Sequence, residues 1–257
     1  MEFFVKNYLN TCMIEFSKYG FKQKKQTFVR VVNDVMQNFA IERLRSGRVC
    51  RINFSVIPLC LRIEKEYILG GVYSRELRRF ETAHETMVWD GWEYDPKSKV
   101  SSNACVDEIV RYLKQYLIPL FERANCCKTA LSEIIAVDQL FYNNHLASKK
   151  INGIKGTAGF DAGLNLLDGT KYYMALKNGD YDFALECRKA LLNQNFEAYN
   201  SMNERGYLTE EDKQRREKRI MVLKLEVEKV SKHDESYIQK VIIENEAYSL
   251  NNLKSVM

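Results

Sequence analysis

Apolar residues Phe3, Phe4, Leu9, Cys12, Met13 and Phe16 recur at the spacing of one helical face, and the pattern stops at Gly20. This predicts an amphipathic helix with the glycine as its C-terminal cap. The composition then changes, because Thr27 to Val32 reads "TFVRVV", β-branched and aromatic as a strand requires. Residues 37 to 56 give the sharpest local expectation. With Ser46 and Gly47 as a two-residue hairpin turn, Arg45 lies opposite Arg48 and every cross-strand pair has numbers summing to 93. Ile41 then faces Ile52, Phe39 faces Phe54 and Gln37 faces Val56 on one side, while Glu42 faces Arg51, Ala40 faces Asn53 and Asn38 faces Ser55 on the other. One side is mostly apolar and the other polar, which is the pattern of an antiparallel sheet with one buried face, and a one-residue slip would mix the two.

Beyond Pro58, "LCLRIEKEYIL" alternates apolar and charged residues and predicts a further strand or extended edge, interrupted at Gly70 and Gly71. "YSRELRRFE" reads as a short helix and "TMVWDGWEY" as a strand. Val106, Ile109, Val110, Leu113, Leu117 and Phe121 mark a long helix that Pro119 kinks or shortens near its end. From Asn125 onward the period is helical: Ala130, Leu131, Ile134, Ile135, Asp138 and Phe141 line one helix, and "KYYMAL" and "DYDFALECRKALLNQNFEAYNSM" give two more. Thr209 caps the next, with Asp212 three positions on and a seam of Ile220, Leu223, Val227 and Val230; Asp234 opens the last, through Tyr237, Val241 and Tyr248.

The fold class is therefore α+β: an N-terminal helix, an antiparallel sheet and a helix, followed by an all-helical C-terminal region. The natural division is an α+β unit over residues 1–123 and a helical unit over 124–257, the latter containing a glycine-rich loop at 148–169. With 257 residues, 46% of them hydrophobic, the chain can fill a core of either size. No run of about 18 uncharged apolar residues crosses a bilayer, and no signal peptide is read at the start. Seven cysteines, an odd number without a CxxC pair, argue against a disulfide framework and for a reducing cytosol.

Charge changes this picture by segment. Residues 1–62 hold 11 lysines and arginines against 4 carboxylates, whereas residues 124–257 hold 19 of each. Lys22, Lys24, Lys25 and Arg30, with Arg43, Arg45, Arg48 and Arg51 on the hairpin, form a candidate polyanion-binding surface, which requires the helix-to-strand turn and the hairpin tip to approach each other. The competing account is that lysines keep a turn and a sheet edge soluble.

Other chemistry is thinner. The glycine-rich loop contains neither a P-loop nor G-x-G-x-x-G, so it reads as a linker or interface loop and no cofactor is expected. His84, His145 and His233 have neither metal-ligand nor triad spacing, and no metal is expected. In "VWDGWEYD", Asp90, Glu93 and Asp95 are the carboxylates a hydrolase would use, though strand alternation reads the segment as an aromatic core face backed by a solvated acidic one. "KNGDYDFALECRKALL" resembles one helix of a tetratricopeptide-type hairpin, but no second copy follows at about 34 residues. "EEDKQRREKR" alternates in sign as a solvated helix face does.

"FSKYGFKQKKQTFVR" resembles the N-terminal signature of an uncharacterised bacterial domain-of-unknown-function family, in which a helix leads to a Gly-Phe-Lys-Lys turn and a Thr-Phe-x-Arg strand; "NFAIER" and "RINFSVIPL" resemble the strands that follow. The likeness covers about the first 60 residues and fades towards residue 123, and Gln23 and Gln26 depart from the lysine and glycine of the pattern. It brings no catalytic residues. It implies a bacterial cytosolic protein with an immunity-like or regulatory role. The function expected is accordingly a non-enzymatic protein-interaction module with a protein partner; the alternatives are a nucleic-acid binder using the basic N-terminal region and a carboxylate-dependent hydrolase.

Overall fold

The computed structural model describes residues 3–44, 47–64, 75–77, 91–151 and 169–256. Helix α1 (Phe3–Phe16) passes through a 3-10 turn, Ser17–Tyr19, and ends at Gly20, whose φ of 83° is the left-handed value of the predicted cap. Four strands follow: β1 (Lys22–Lys24), β2 (Thr27–Val32), β3 (Val35–Arg43) and β4 (Val49–Pro58). They pair antiparallel in sequence order. Two short strands, β5 (Arg75–Glu76) and β6 (Trp92–Glu93), share the outer edge of β4, β5 against Asn53–Phe54 and β6 against Val49–Cys50. Within "YSRELRRFE", Arg75–Glu76 form a strand rather than the expected helix, since the open edge of β4 offers these two residues a ladder that local propensity does not foresee; residues 73–74 and 78–81 lie outside the described residues.

Every β3–β4 pair, from Val35 with Pro58 to Arg43 with Cys50, keeps the register summing to 93. Towards the tip the Leu44 N–H donates to Val49 O at 3.0 Å, in the same register, and the Gly47 N–H donates to Leu44 O at 2.9 Å, with Gly47 left-handed at φ 65°. Arg45 and Ser46 lie outside the described residues.

Phe39, Ile41, Ile52, Phe54 and Val56 face a common core with α1, and the ring centres of Phe16 and Phe39 stand 5.3 Å apart. Phe4, Leu9, Cys12 and Phe16 are buried as predicted, together with Val5 and Tyr8, whereas Phe3 and Met13 are exposed. The predicted long helix appears as α2 (Lys99–Tyr112), a π turn (Leu113–Leu117) and α3 (Ile118–Arg123). Pro119 has no N–H to return to the preceding turn, which accounts for the break in the α-helical ladder just before it.

The opposite sheet face is less open than its polar residues suggest. Asn38 and Ser55 are buried and bonded to each other, Ser55 Oγ donating to Asn38 Oδ1 at 2.7 Å. Beside them Val29, Met36 and Ile57 form a second cluster with Leu59, Leu61, Ile63 and Leu253.

Among the described residues, α3 is followed by α4 (Cys127–Ile151), α5 (Gly169–Asn178), α6 (Tyr181–Glu204), α7 (Glu210–Ser231) and α8 (Glu235–Val256). Asp180 caps α6, and Thr209 caps α7 by accepting from the Asp212 N–H at 3.1 Å. The main core is continuous across residue 124, joining Phe54 and Phe121 to Ile134, Met174 and Ile242. Helix α8 also holds the extended stretch after Pro58. That stretch has no strand partner among the described residues; instead Ser249 Oγ accepts from the Ile63 N–H at 2.9 Å and donates to Leu61 O at 2.7 Å, while the Asn245 and Asn252 amides donate to Cys60 O and Ile63 O.

Candidate functional site

Arg30 pairs in register with Gln37 and so points to the core face, together with Phe28 and Phe39. Its guanidinium donates to Gln37 Oε1 and Tyr19 O, both at 2.7 Å, and to Glu122 Oε1 at 2.9 Å, and it stacks 4.7 Å from the centre of the Phe21 ring. Gln37, fully buried, passes the network on by donating to Phe121 O and Ala124 O. Arg30 thereby ties the sheet to α3 and stands apart from the other basic residues.

Lys22 and Lys24 pair with Val29 and Thr27 and take the opposite face, which Arg51 shares through Asn53 and Ala40. Lys25 is exposed in the β1–β2 turn at a φ of 54°. Arg43 pairs with Cys50 and leans to the core side, although it is exposed, and Arg48 is exposed at the hairpin tip, its carbonyl accepting the Tyr94 N–H. Arg45 lies outside the described residues. Strands β1 and β4 are three places apart, about 14 Å. The lysines on the sheet edge and the arginines at the tip are thus two groups at one end of the sheet, not one cluster.

Trp92 and Tyr94 are buried and Glu93 and Asp95 exposed, the alternation of an aromatic core face. Asp95 accepts the Lys97 N–H at 2.9 Å and serves the turn into α2. Asp90 and His84 lie outside the described residues, as do residues 152–168 of the glycine-rich loop. His145 sits within α4, six residues before its end at Ile151. Among the described residues no group of three or more histidines, cysteines or carboxylates has metal-holding proximity. All seven cysteines are free thiols. Burial dominates at Cys12, pushing its thiol up to about 12 against the smaller opposing influence of the neighbouring Tyr8 hydroxyl. Cys126 differs: it is half-buried, and a hydrogen bond from the Thr129 hydroxyl with support from the Thr129 N–H lowers its thiol.

Two buried ionic clusters went unnoticed at the level of sequence. Asp138 on α4 receives Arg75 Nε at 2.7 Å and Lys171 Nζ at 2.6 Å, and Lys171 is fully buried. Burial pushes the Asp138 carboxyl up, but the hydrogen bond and charge of Arg75, aided by Lys171, hold it below the ordinary value. In the second cluster Arg188 on α6 meets Glu226 on α7 at 2.9 Å and lies 3.6 Å from the centre of the Tyr172 ring. The signal was present in the pattern, since Asp138 occupies an apolar-seam position and Arg188 follows Ala184 by one turn. Both clusters join elements to one another, Asp138 linking α4 to β5 and α5, and Arg188 linking α6 to α5 and α7.

Among the described residues, the α6–α7 hairpin carries a long exposed stretch. Ala184, Cys187 and Arg188 anchor α6, and Ile220, Leu223 and Val230 anchor α7, but no residue from 189 to 219 is buried. The outer half, about 24 Å long at 1.5 Å per residue, is a two-helix arm held by cross-contacts. The Tyr199 hydroxyl donates to Glu217 Oε1 at 2.6 Å, and Lys224 Nζ lies 4.8 Å from the Phe196 ring centre. The arm carries Tyr207 at its tip, 68% exposed, and Met221, Val222 and Leu225 lie bare at its base. No described helix is long and apolar enough to cross a membrane. Comparison of the chain with family models, with curated proteins and with solved structures returns no match.

Proposed function

We propose that this chain is a non-enzymatic protein-interaction module, of the immunity-like or regulatory kind that the resemblance of its first 60 residues implies. One observation carries this. The α6–α7 arm extends two helices away from the core and keeps large side chains, Tyr207 and Met221 among them, in solvent. Exposed aromatic and apolar side chains on a rigid element are the groups that anchor a protein partner. Of the carboxylates that a hydrolase would use, Glu93 is exposed and Asp95 is engaged in a turn, and Asp90 lies outside the described residues. The test is reconstitution: a partner recovered from native cells, purified separately and mixed with the pure chain should give a complex of fixed stoichiometry by sedimentation. Catalytic turnover by the pure chain overturns the proposal.

A nucleic-acid reading has its own observation. Lys22, Lys24 and Lys25 make no ion pair among the described residues and stand together at the open edge of the sheet. A phosphate backbone bound there gives an affinity that falls steeply with salt. Titration of duplex and single-stranded oligonucleotides against NaCl, repeated with Lys24→Glu/Lys25→Glu, decides it, and equal weak binding by both proteins removes the reading.

A further inference from the structure

We infer that the outward face of α7 docks an acidic amphipathic helical segment of a partner protein, an inference that rests on the interaction reading above and names the chemistry of the partner. Met221, Val222 and Leu225 are 69%, 50% and 45% exposed. Their i, i+1, i+4 spacing puts them on one side of α7, opposite the seam of Ile220, Leu223 and Val230 that packs inward. A helix with one face already buried gains nothing in water from a second apolar face; such a face is the mark of a surface completed by another molecule.

Charge specifies that molecule. Residues 215–225 hold five basic side chains and one carboxylate, Glu217. Glu217 is engaged by the Tyr199 hydroxyl. Of the other carboxylates of α7, Glu210 is occupied by Lys213, Asp212 by Arg215, Glu226 by Arg188 and Glu228 by Lys232, while Glu211 stands exposed in the first turn, ten residues before Met221. Lys218 and Arg219, by contrast, are exposed and make no ion pair among the described residues. Lys218 stands one turn before Met221 and Val222, so the apolar group has a positive border on its N-terminal side. The complementary ligand is a helix with apolar residues at i and i+3 or i+4 and carboxylates one turn away. A nucleic-acid backbone matches the lysine and arginine but leaves the three apolar side chains wet. An anionic bilayer matches both in kind, but helices that lie in a bilayer surface insert a long apolar face, and on α7 only Met221, Val222 and Leu225 are bare among the large apolar side chains.

The experiment places a benzophenone-bearing amino acid at Val222 and, for comparison, at Ile14 and Ile243, which are exposed elsewhere, in the full chain made in its native cells. The expected result is a protein adduct from Val222 whose crosslinked segment is net acidic with apolar residues at helical spacing. A synthetic peptide of that segment should bind the purified chain and lose about tenfold or more in affinity on Lys218→Glu/Arg219→Glu. A neutral or basic segment, a nucleic-acid or lipid adduct, or unchanged peptide affinity in the double variant overturns the inference. Adducts from Ile14 or Ile243 alone also overturn it while leaving the interaction reading standing; no adduct from any position removes both.

Discussion

Replacing Arg188 should cost more stability than replacing the carboxylate it touches. The Arg188 and Glu226 side chains are 9% and 13% exposed, with Nε at 2.9 Å and Nη2 at 3.4 Å from the two carboxylate oxygens. Unit charges about 4 Å apart at an effective dielectric of about 20 attract by about 4 kcal/mol. Burial nevertheless raises the Glu226 carboxyl above its ordinary value against the pull of Arg188. Burial works against the Arg188 cation as well, yet the charge of Glu226 together with Tyr172 and Tyr173 outweighs it, and Arg188 is shifted up. The opposite balances have one cause: the cation has a carboxylate and two aromatic neighbours, whereas the carboxylate has the cation alone. Glu226→Gln keeps an acceptor oxygen beside Arg188 and leaves the cation over the Tyr172 ring, so it should lose less than Arg188→Met, about 1–2 kcal/mol. Arg188→Met leaves a buried anion and should lose about 3–5 kcal/mol at pH 8, with Arg188→Met/Glu226→Gln recovering most of that. The sign with pH follows from the raised carboxyl. The native state binds this proton more readily than the unfolded chain does, so stability falls as pH rises from the ordinary carboxylate value through the raised native one. Removing Arg188 extends that window upward, and the deficit of Arg188→Met should shrink as the buffer moves from pH 8 to pH 5. Urea unfolding followed by circular dichroism measures all of this. A loss below about 1 kcal/mol for Arg188→Met at pH 8, or a larger loss for Glu226→Gln than for Arg188→Met, refutes the reasoning.

Lys25 holds a left-handed φ of 54° in a two-residue turn, and Lys25→Asn should raise stability by about 0.5–1 kcal/mol, read as a higher melting temperature. Gln37→Leu strips partners from Arg30 and from two buried carbonyls, and a loss of about 2–4 kcal/mol in chemical unfolding is expected. With limiting iodoacetamide on the folded chain, mass spectrometry should find Cys126 alkylated well before the six buried thiols; equal labelling of Cys127 and Cys126 contradicts the assignment.

The β3–β4 register was readable because side-chain alternation has a period of two and one face had to be apolar, so only one pairing separates Phe39, Phe54, Ile41 and Ile52 from Glu42 and Arg51. The same parity shows where Arg30 goes: on a strand whose Phe28 faces the core, a residue two positions on faces it too, and counting Arg30 with the lysines overlooked this. Other features had no local signal. Closure of the second sheet face depends on Leu253, nearly 200 positions from Leu61 in the chain, and the strand at Arg75–Glu76 exists because β4 has room at its edge. The exposed side chains of α7 are a third case, since its sequence distinguishes the inward seam but does not say that nothing covers the other apolar residues. For the basic group, sequence supplied the charge; the three-strand separation between Lys24 and Arg51 belongs to topology.

The grip of α8 on residues 60–63 bears on how the chain is made. Ile63 leaves the ribosome early, but the Ser249 hydroxyl that satisfies its N–H is translated 186 residues later. Until then the backbone of this stretch and the methyl groups of Val29, Met36 and Ile57 have no final cover, so folding cannot proceed to completion in the order of synthesis. The nascent sheet must wait, one side still sticky, until those 186 further residues have emerged, and that interval is when a chaperone has something to hold.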